Sequence, residues 1–185
     1  MFTASQKRKE NIAEYLLYMW QIEDIIRANN LDIEKIKENV INRYTNLSEA
    51  QRKELTEWYE SLIDMMRREG VEKSGHLQIN NNTLSSLVAL HQSLLKDPRF
   101  ADYTALFYKT LPYIVELRSK AGEQKVGEIE TCFNALYGML MMRLQQKTIS
   151  QETMDAIAQI SRFIATLAHD FQLDEQDKLF NNNDQ

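Results

Sequence analysis

The chain has 185 residues, of which 43% are hydrophobic and 26% charged, and its formal net charge is −5 at pH 7. This composition is typical of a folded domain and favours neither a disordered chain nor a membrane protein. Because binding to nucleic acid without sequence preference depends mainly on Lys and Arg meeting phosphates, the acidic balance predicts no nucleic-acid partner. The chain holds few residues that favour turns, with five Gly and two Pro, so we expect long helices or strands with few turns.

Cysteine usage and the N-terminus favour a reducing compartment. Cys132 is the single cysteine, so an intrachain disulfide is excluded. The apolar run that follows the polar opening MFTASQKRKE is interrupted by four polar residues: Glu14, Gln21, Glu23 and Asp24. Such a pattern fits neither a signal peptide nor a membrane span. We therefore expect a cytoplasmic protein without a membrane partner.

The hydrophobic pattern is helical almost throughout, with no convincing strand alternation. We predict an all-α single domain over residues 1–185, an up-and-down antiparallel bundle whose polar tail frays from about residue 173. The seven predicted helices begin near residues 5, 32, 48, 80, 97, 123 and 150. The first is expected to run to Ala28, the second to include Tyr44 and the sixth to reach Gln146.

Four of the predicted helices open with a residue that favours the N-cap position: Asp32, Ser48, Asp97 and Ser150. Ser48 with Gln51 forms a potential capping box, and Asp97 precedes a proline at the first helical position. Several N-cap candidates for the fourth helix lie between Asn80 and Thr83.

Three residues indicate where helices bend or end. Gly70 is expected to end the third helix and Gly122 the fifth. Pro112 lies inside the pattern of the fifth helix, where it predicts a kink rather than two separate helices. We expect a loop over residues 70–80.

The first predicted helix carries charge beside its most apolar stripe. Four side chains share that stripe at about 100° per residue: Tyr15, Met19, Ile22 and Ile26. Glu23 lies at its edge, so we expect this carboxylate to be at least partly buried and to need a partner. Arg27, four residues on, predicts an internal ion pair that fixes how the helix docks. The functional alternative is a polar anchor in a pocket with Tyr15 and Trp20 as walls.

His91 is the second candidate because it shares the expected core face of the fourth helix with Leu84 and Leu87. A histidine there is more often a satisfied core residue than a ligand contact or proton carrier. Together the candidate pocket comprises five residues: Tyr15, Trp20, Glu23, Arg27 and His91.

No reactive or metal-binding motif appears in the sequence. One Cys and three scattered His give no zinc spacing, and the Glu-x-x-His pairs of di-iron bundles are absent. Neither a glycine-rich phosphate loop nor a nucleophile elbow occurs. We therefore predict no catalytic residue, no metal and no cofactor, and favour a protein that is not an enzyme. Small residues on one side of the sixth helix could form a dimer seam or pack tightly within the monomer: Gly127, Thr131, Ala135 and Gly138.

Two segments carry a family resemblance, IAEYLLYMWQIEDIIR at 12–27 and ISQETMDAIAQISRFIATLA at 149–168. They resemble a bacterial all-helical family of about this length that is known only as a domain of unknown function. The resemblance covers essentially the whole chain. It implies a compact helical cytoplasmic protein and brings no activity, cofactor or catalytic residue.

Three functional hypotheses remain. The first is a non-catalytic protein that acts through protein–protein interaction or self-association, and the second is a small-molecule-binding or catalytic bundle with a pocket near Glu23, Arg27 and His91. The third is a DNA-binding regulator, since the link between the second and third helices resembles a helix-turn-helix. The third hypothesis is disfavoured because its recognition helix would present four carboxylates to phosphates: Glu49, Glu54, Glu57 and Glu60.

Overall fold

The computed structural model describes residues 2–120 and 126–180. These residues form α-helices and two short 3-10 turns, with no strand among them, which confirms the all-α prediction. The described α-helices are α1 Phe2–Glu10, α2 Ile12–Ala28, α3 Ile33–Asn39, α4 Glu49–Glu69, α5 Gln78–Lys96, α6 Ala101–Lys120, α7 Glu128–Leu144 and α8 Gln151–Glu175. The 3-10 turns are Ile41–Arg43 and Pro98–Phe100. Gly122, the expected end of the fifth predicted helix, lies outside the described residues.

The first predicted helix is two helices, separated at Asn11. The side chain of Asn11 accepts a hydrogen bond from the backbone N–H of Ala13 at 3.0 Å. This is the bond that an N-cap asparagine makes, and it begins α2 afresh after α1 has ended. The prediction of one continuous helix from residue 5 to residue 28 was therefore wrong.

The local capping signals are confirmed. The N-cap side chains of four predicted helices accept backbone hydrogen bonds: Asp32, Ser48, Asp97 and Ser150. Ser48 and Gln51 form the reciprocal capping box, with bonds of 3.3 and 2.9 Å. Gly70 ends α4 in the left-handed conformation at φ +69°, which glycine adopts without steric cost.

Several helix boundaries differ from prediction, including the end of α7, which lies at Leu144 and not at Gln146. The second predicted helix ends at Asn39, and a 3-10 turn takes its place over Ile41–Arg43. α5 begins at Gln78, so the predicted N-cap candidates from residue 80 to residue 83 lie inside the helix. α7 begins at Glu128 rather than near residue 123, because its N-cap residue Gly127 is still in an extended conformation, with φ −66° and ψ 167°.

The described residues group into two compact units. The first contains the described parts of residues 1–9 and 14–83, and the second those of 10–13 and 84–185. A single domain over the whole chain and a frayed tail from about residue 173 stay predictions.

In the first unit, α4 packs against α3 and the 3-10 turn that follows it. The inward side of α4 carries four buried side chains: Tyr59, Leu62, Ile63 and Met66. α2 is buried over most of its length, with Leu16 and Ile26 fully inaccessible. An apolar core of this kind is the main source of stability in a helical unit.

In the second unit, α6, α7 and α8 pack against one another. α6 continues through Pro112, which confirms one helix across the proline. The centre of this unit is rich in aromatic and aliphatic side chains that are almost inaccessible, including Ile114, Ile129, Phe133, Ile160 and Phe163. No described helix combines the length and the apolar character needed to cross a membrane.

Candidate functional site

The carboxylate of Glu23 is completely buried and is bound by three donors. Oε1 accepts hydrogen bonds from the backbone N–H of Leu77 at 2.9 Å and from Nδ2 of Asn80 at 2.6 Å. Oε2 accepts a bond of 2.6 Å from Nδ1 of His76. All three donors come from one short segment, the end of the loop after α4 and the first turn of α5. The expected burial of Glu23 is therefore confirmed, with partners other than the one predicted.

The same bonds determine where α5 begins. The first N–H groups of a helix have no partner within the helix, and an unsatisfied one is costly when buried. Glu23 supplies the acceptor for Leu77, and Glu69 at the end of α4 accepts from the N–H of Gln78 at 2.6 Å. A carboxylate at this position is also favoured by the positive end of the helix dipole. Two acidic side chains from other helices thus replace the missing local N-cap.

Arg27 does not form the predicted ion pair with Glu23. Its guanidinium donates to the carbonyl oxygens of Val71 and Gly75, and Nη1 pairs with Asp24 at 2.9 Å. The loop that gives donors to Glu23 also gives acceptors to Arg27, so the two charged groups bind the loop instead of each other. Glu23 and Arg27 together fix the segment between α4 and α5, Glu23 by binding the hydrogen-bond donors of that segment and Arg27 by binding its carbonyl oxygens.

The imidazole ring of His76 is fixed by a stacking contact as well as by its hydrogen bond to Glu23. The ring of Trp20 stacks on it with centroids 4.1 Å apart and an angle of 11° between the planes. Since Nδ1 donates to Glu23, Nε2 is the ring's acceptor when the imidazole is neutral. Nε2 makes no hydrogen bond to any described residue, and the side chain is 30% exposed.

The structure brings three of the five predicted pocket residues to one place. Trp20, Glu23 and Arg27 all contact the loop between α4 and α5. Tyr15 is buried beneath the guanidinium of Arg8, 5.6 Å from its ring centroid, and makes no hydrogen bond to that loop. His91 belongs to the second unit and is not among the hydrogen-bond partners of Glu23.

His91 is a satisfied histidine within an aromatic cluster. Nδ1 lies 2.7 Å from the hydroxyl of Tyr103, and the rings of Phe107 and Phe163 meet the imidazole at steep angles. Burial lowers the pKa of His91, and the carboxylate of Glu128 opposes that shift. The environment therefore favours the neutral imidazole, as expected for a core residue.

The sequence did not reveal the partners His76, Asn80 and Glu69. The loop has no hydrophobic period, and the three asparagines from residue 80 looked like local caps. The one available signal was the expected burial of Glu23, because a buried carboxylate without a basic partner must accept hydrogen bonds from N–H donors. No group of three or more possible metal ligands occurs in residues 2–120 and 126–180.

The sequence model of the family described as Domain of unknown function (DUF4924) matches residues 1–178. The chain belongs to this family. The resemblance seen in the two helical segments is thereby confirmed, and the DUF4924 description names no activity, ligand or partner. No curated protein and no solved structure matches the chain.

For this DUF4924 protein we predict that Glu23→Ala lowers the free energy of unfolding by about 3 kcal/mol or more. Truncation leaves the buried N–H of Leu77 and the amide of Asn80 without an acceptor, at about 1–3 kcal/mol each. Glu69→Ala is the control, because it removes a more exposed cap worth about 1 kcal/mol. Urea denaturation followed by circular dichroism measures both variants. Equal losses would contradict the central role of Glu23.

We predict a second effect, on the pH dependence of stability. Because burial lowers the folded-state pKa of His91, its stabilising contribution is complete above the unfolded pKa of about 6.5 and is lost as the pH falls below it. Between about pH 7.5 and about pH 5.5, His91→Phe should therefore lose less stability than the wild type. The measurement is the urea midpoint at both pH values. An unchanged slope in His91→Phe would refute the assignment.

Proposed function

We propose that this protein acts through protein–protein interaction, most simply by self-association, without catalysing a reaction. The proposal rests on one observation: the charged groups of Glu23 and Arg27 are bound by other groups of the same chain. Both oxygens of Glu23 and all three nitrogens of the Arg27 guanidinium bind the chain's own groups. These charged groups therefore hold the fold together and are not presented to a substrate.

Apolar side chains at the surface of the second unit support the proposal. Four large hydrophobic residues of that unit are exposed: Tyr108, Val115, Leu144 and Met154. Single exposed apolar residues are common, so their number alone decides little. The small-residue side of α7 adds a second observation, because a Cβ built on Gly138 meets no heavy atom within 4 Å. Of the two alternatives for these small residues, a dimer seam therefore has room for a close neighbour at Gly138, whereas Thr131 on the same side is buried within the chain.

The cytoplasmic location, the bacterial source and the lack of a nucleic-acid partner expected from the sequence form part of the same proposal. The single buried cysteine agrees with the cytoplasmic location, and the net charge of −5 agrees with the lack of a nucleic-acid partner.

We predict that the purified full-length chain has an average mass above the 21.7 kDa of the monomer, rising with protein concentration. Association through a small surface is weak, so mass action makes it concentration-dependent. Size-exclusion chromatography with light scattering and sedimentation velocity provide the measurement. A mass of one chain at every concentration would overturn self-association.

A second candidate function is ligand binding at His76, favoured by two acceptor atoms close to Glu23. The first is Nε2 of His76, which makes no hydrogen bond to any described residue. The second is Oδ1 of Asn80, which is buried without a hydrogen-bond partner among the described residues. A carboxylate that orients Nδ1 and leaves Nε2 open is the arrangement found behind many histidine bases and metal ligands. The proposed ligand is a small molecule that donates a hydrogen bond to Nε2, with Trp20 and Glu23 fixing the ring. Of the pocket predicted from sequence, this candidate keeps Trp20 and Glu23.

The second candidate predicts that diethylpyrocarbonate modifies His76 in the folded protein, as detected residue by residue by mass spectrometry. The buried His91 is the internal control and should react far more slowly, while the exposed His169 sets the rate for an unhindered ring. A His76 that reacts no faster than His91 would show that Nε2 is closed to ligands and would exclude this candidate.

A further inference from the structure

An apolar groove lies between α6 and α8 in the second unit. Its volume is about 110 Å³. Its walls are formed by Tyr113, Leu117, Ala156 and Ile157, with Glu116, Glu152 and Thr153 completing the lining. The groove uses the C-terminal half of α6 and the first two turns of α8, close in sequence to the link that joins α7 to α8.

The size of the groove indicates what it can hold. Sites for small organic ligands generally occupy about 300–1,000 Å³. A cavity of about 150 Å³ with apolar walls accepts a molecule the size of benzene. A groove of about 110 Å³ therefore suits one aliphatic side chain better than a metabolite. The occupant that fits is an apolar residue projecting from a protein surface.

The charge around the groove narrows the choice of occupant. Glu116 and Glu152 belong to its lining, and both side chains are exposed. A docking side chain flanked by carboxylates would be repelled, whereas one flanked by cations would be attracted. The occupant should therefore be an exposed aliphatic residue with Lys or Arg beside it.

Leu144, the last residue of α7, has these properties. It is 66% exposed, the highest value among the large hydrophobic residues exposed in the described part of the chain. Arg143 precedes it and Lys147 follows one turn later, and both are exposed. No acidic residue occurs between Glu130 and Glu152, so this end of α7 is purely basic.

We propose that the groove between α6 and α8 receives Leu144 from a second copy of this chain, with Arg143 and Lys147 of that copy facing Glu116 and Glu152. The inference rests on the proposed self-association and gives it a surface. Each second unit carries both the projecting leucine and the groove. Two copies related by a two-fold axis make the contact twice and close the assembly as a dimer.

The first test is Leu144→Glu in the full-length chain. A carboxylate in place of the leucine loses the apolar contact and meets Glu116 and Glu152, so the dimer dissociation constant should rise at least tenfold. Val115→Glu is the matched control, because Val115 is an exposed aliphatic residue of α6 that does not line the groove. Sedimentation velocity measures the dissociation constants, and thermal unfolding verifies that both variants remain folded.

The second test exchanges the charges. Arg143→Glu and Glu116→Arg should each weaken the dimer, since each places like charges against each other. The double variant, with both changes in one chain, restores opposite charges and should recover most of the wild-type affinity. Loss of fold cannot produce such a recovery, so the rescue distinguishes a direct contact from a structural effect.

The outcomes separate the two proposals. A wild-type chain that is monomeric at every concentration refutes the self-association and this interface together. A dimer that survives Leu144→Glu but is disrupted by Gly138→Arg associates through the small-residue side of α7, which overturns the groove while self-association stands. A dimer insensitive to all of these changes uses another surface and likewise overturns the groove.

Discussion

The buried carboxylate of Glu23 is the constraint on which the arrangement of the first unit depends. It binds an imidazole, a backbone amide and a side-chain amide from a segment more than fifty residues later in the chain. A charge removed from water is costly unless its hydrogen-bonding capacity is filled, and each donor left without an acceptor adds to that cost. The orientation of His76, the path of the loop and the start of α5 are therefore fixed by one group of bonds.

Arg27 completes this constraint from the same helix. A local pair with Glu23 would have satisfied both charges within α2 and left the loop unattached. The observed arrangement uses the carboxylate to hold N–H groups and the guanidinium to hold carbonyl oxygens of Val71 and Gly75. Gly75 lies at φ +87°, a conformation that costs a glycine little, so the loop can turn its carbonyl toward Arg27. Ionic groups used in this way specify one loop conformation as well as stabilising it.

The parts of the fold that were predictable are those whose causes are local. Ser48 with Gln51, and Asp97 before Pro98, satisfy helix ends within a few residues, and sequence spacing alone reveals them. The start of α5 was missed because its caps are Glu23 and Glu69, which only the tertiary structure brings near. The break at Asn11 is a different case. Its cap is local, but helix-forming residues on both sides made the pattern look continuous.

At the candidate site too, the sequence predicted the local property, the burial of Glu23, and not the partners that come from other helices and loops. Helical periodicity placed Glu23 beside an apolar stripe, and burial followed from that placement. Periodicity cannot supply a partner from another element, so it indicated the nearest base, Arg27, as the partner of Glu23. It placed His91 on a core face without showing which residues surround it. His91 instead satisfies its ring with Tyr103 inside an aromatic cluster. The sequence pattern was therefore sufficient to predict that Glu23 is buried, whereas the hydrogen-bond partners of Glu23 and His91 could be identified only in the folded structure.

At the C-terminal end of α7, the sequence pattern likewise could not predict which side chains are exposed. From Met139 to Leu144 nearly every residue is apolar, so the pattern does not distinguish the side that packs from the side that meets water. Packing makes the distinction: Met139 is 5% exposed and Leu144 is 66% exposed. A leucine left in water forgoes the free energy that its burial would provide, about 25 cal/mol for each Å² of apolar surface. With Arg143 and Lys147 beside it in the sequence, that side chain can recover this free energy on an acidic apolar surface, and the groove between α6 and α8 is a surface of this kind on the chain itself.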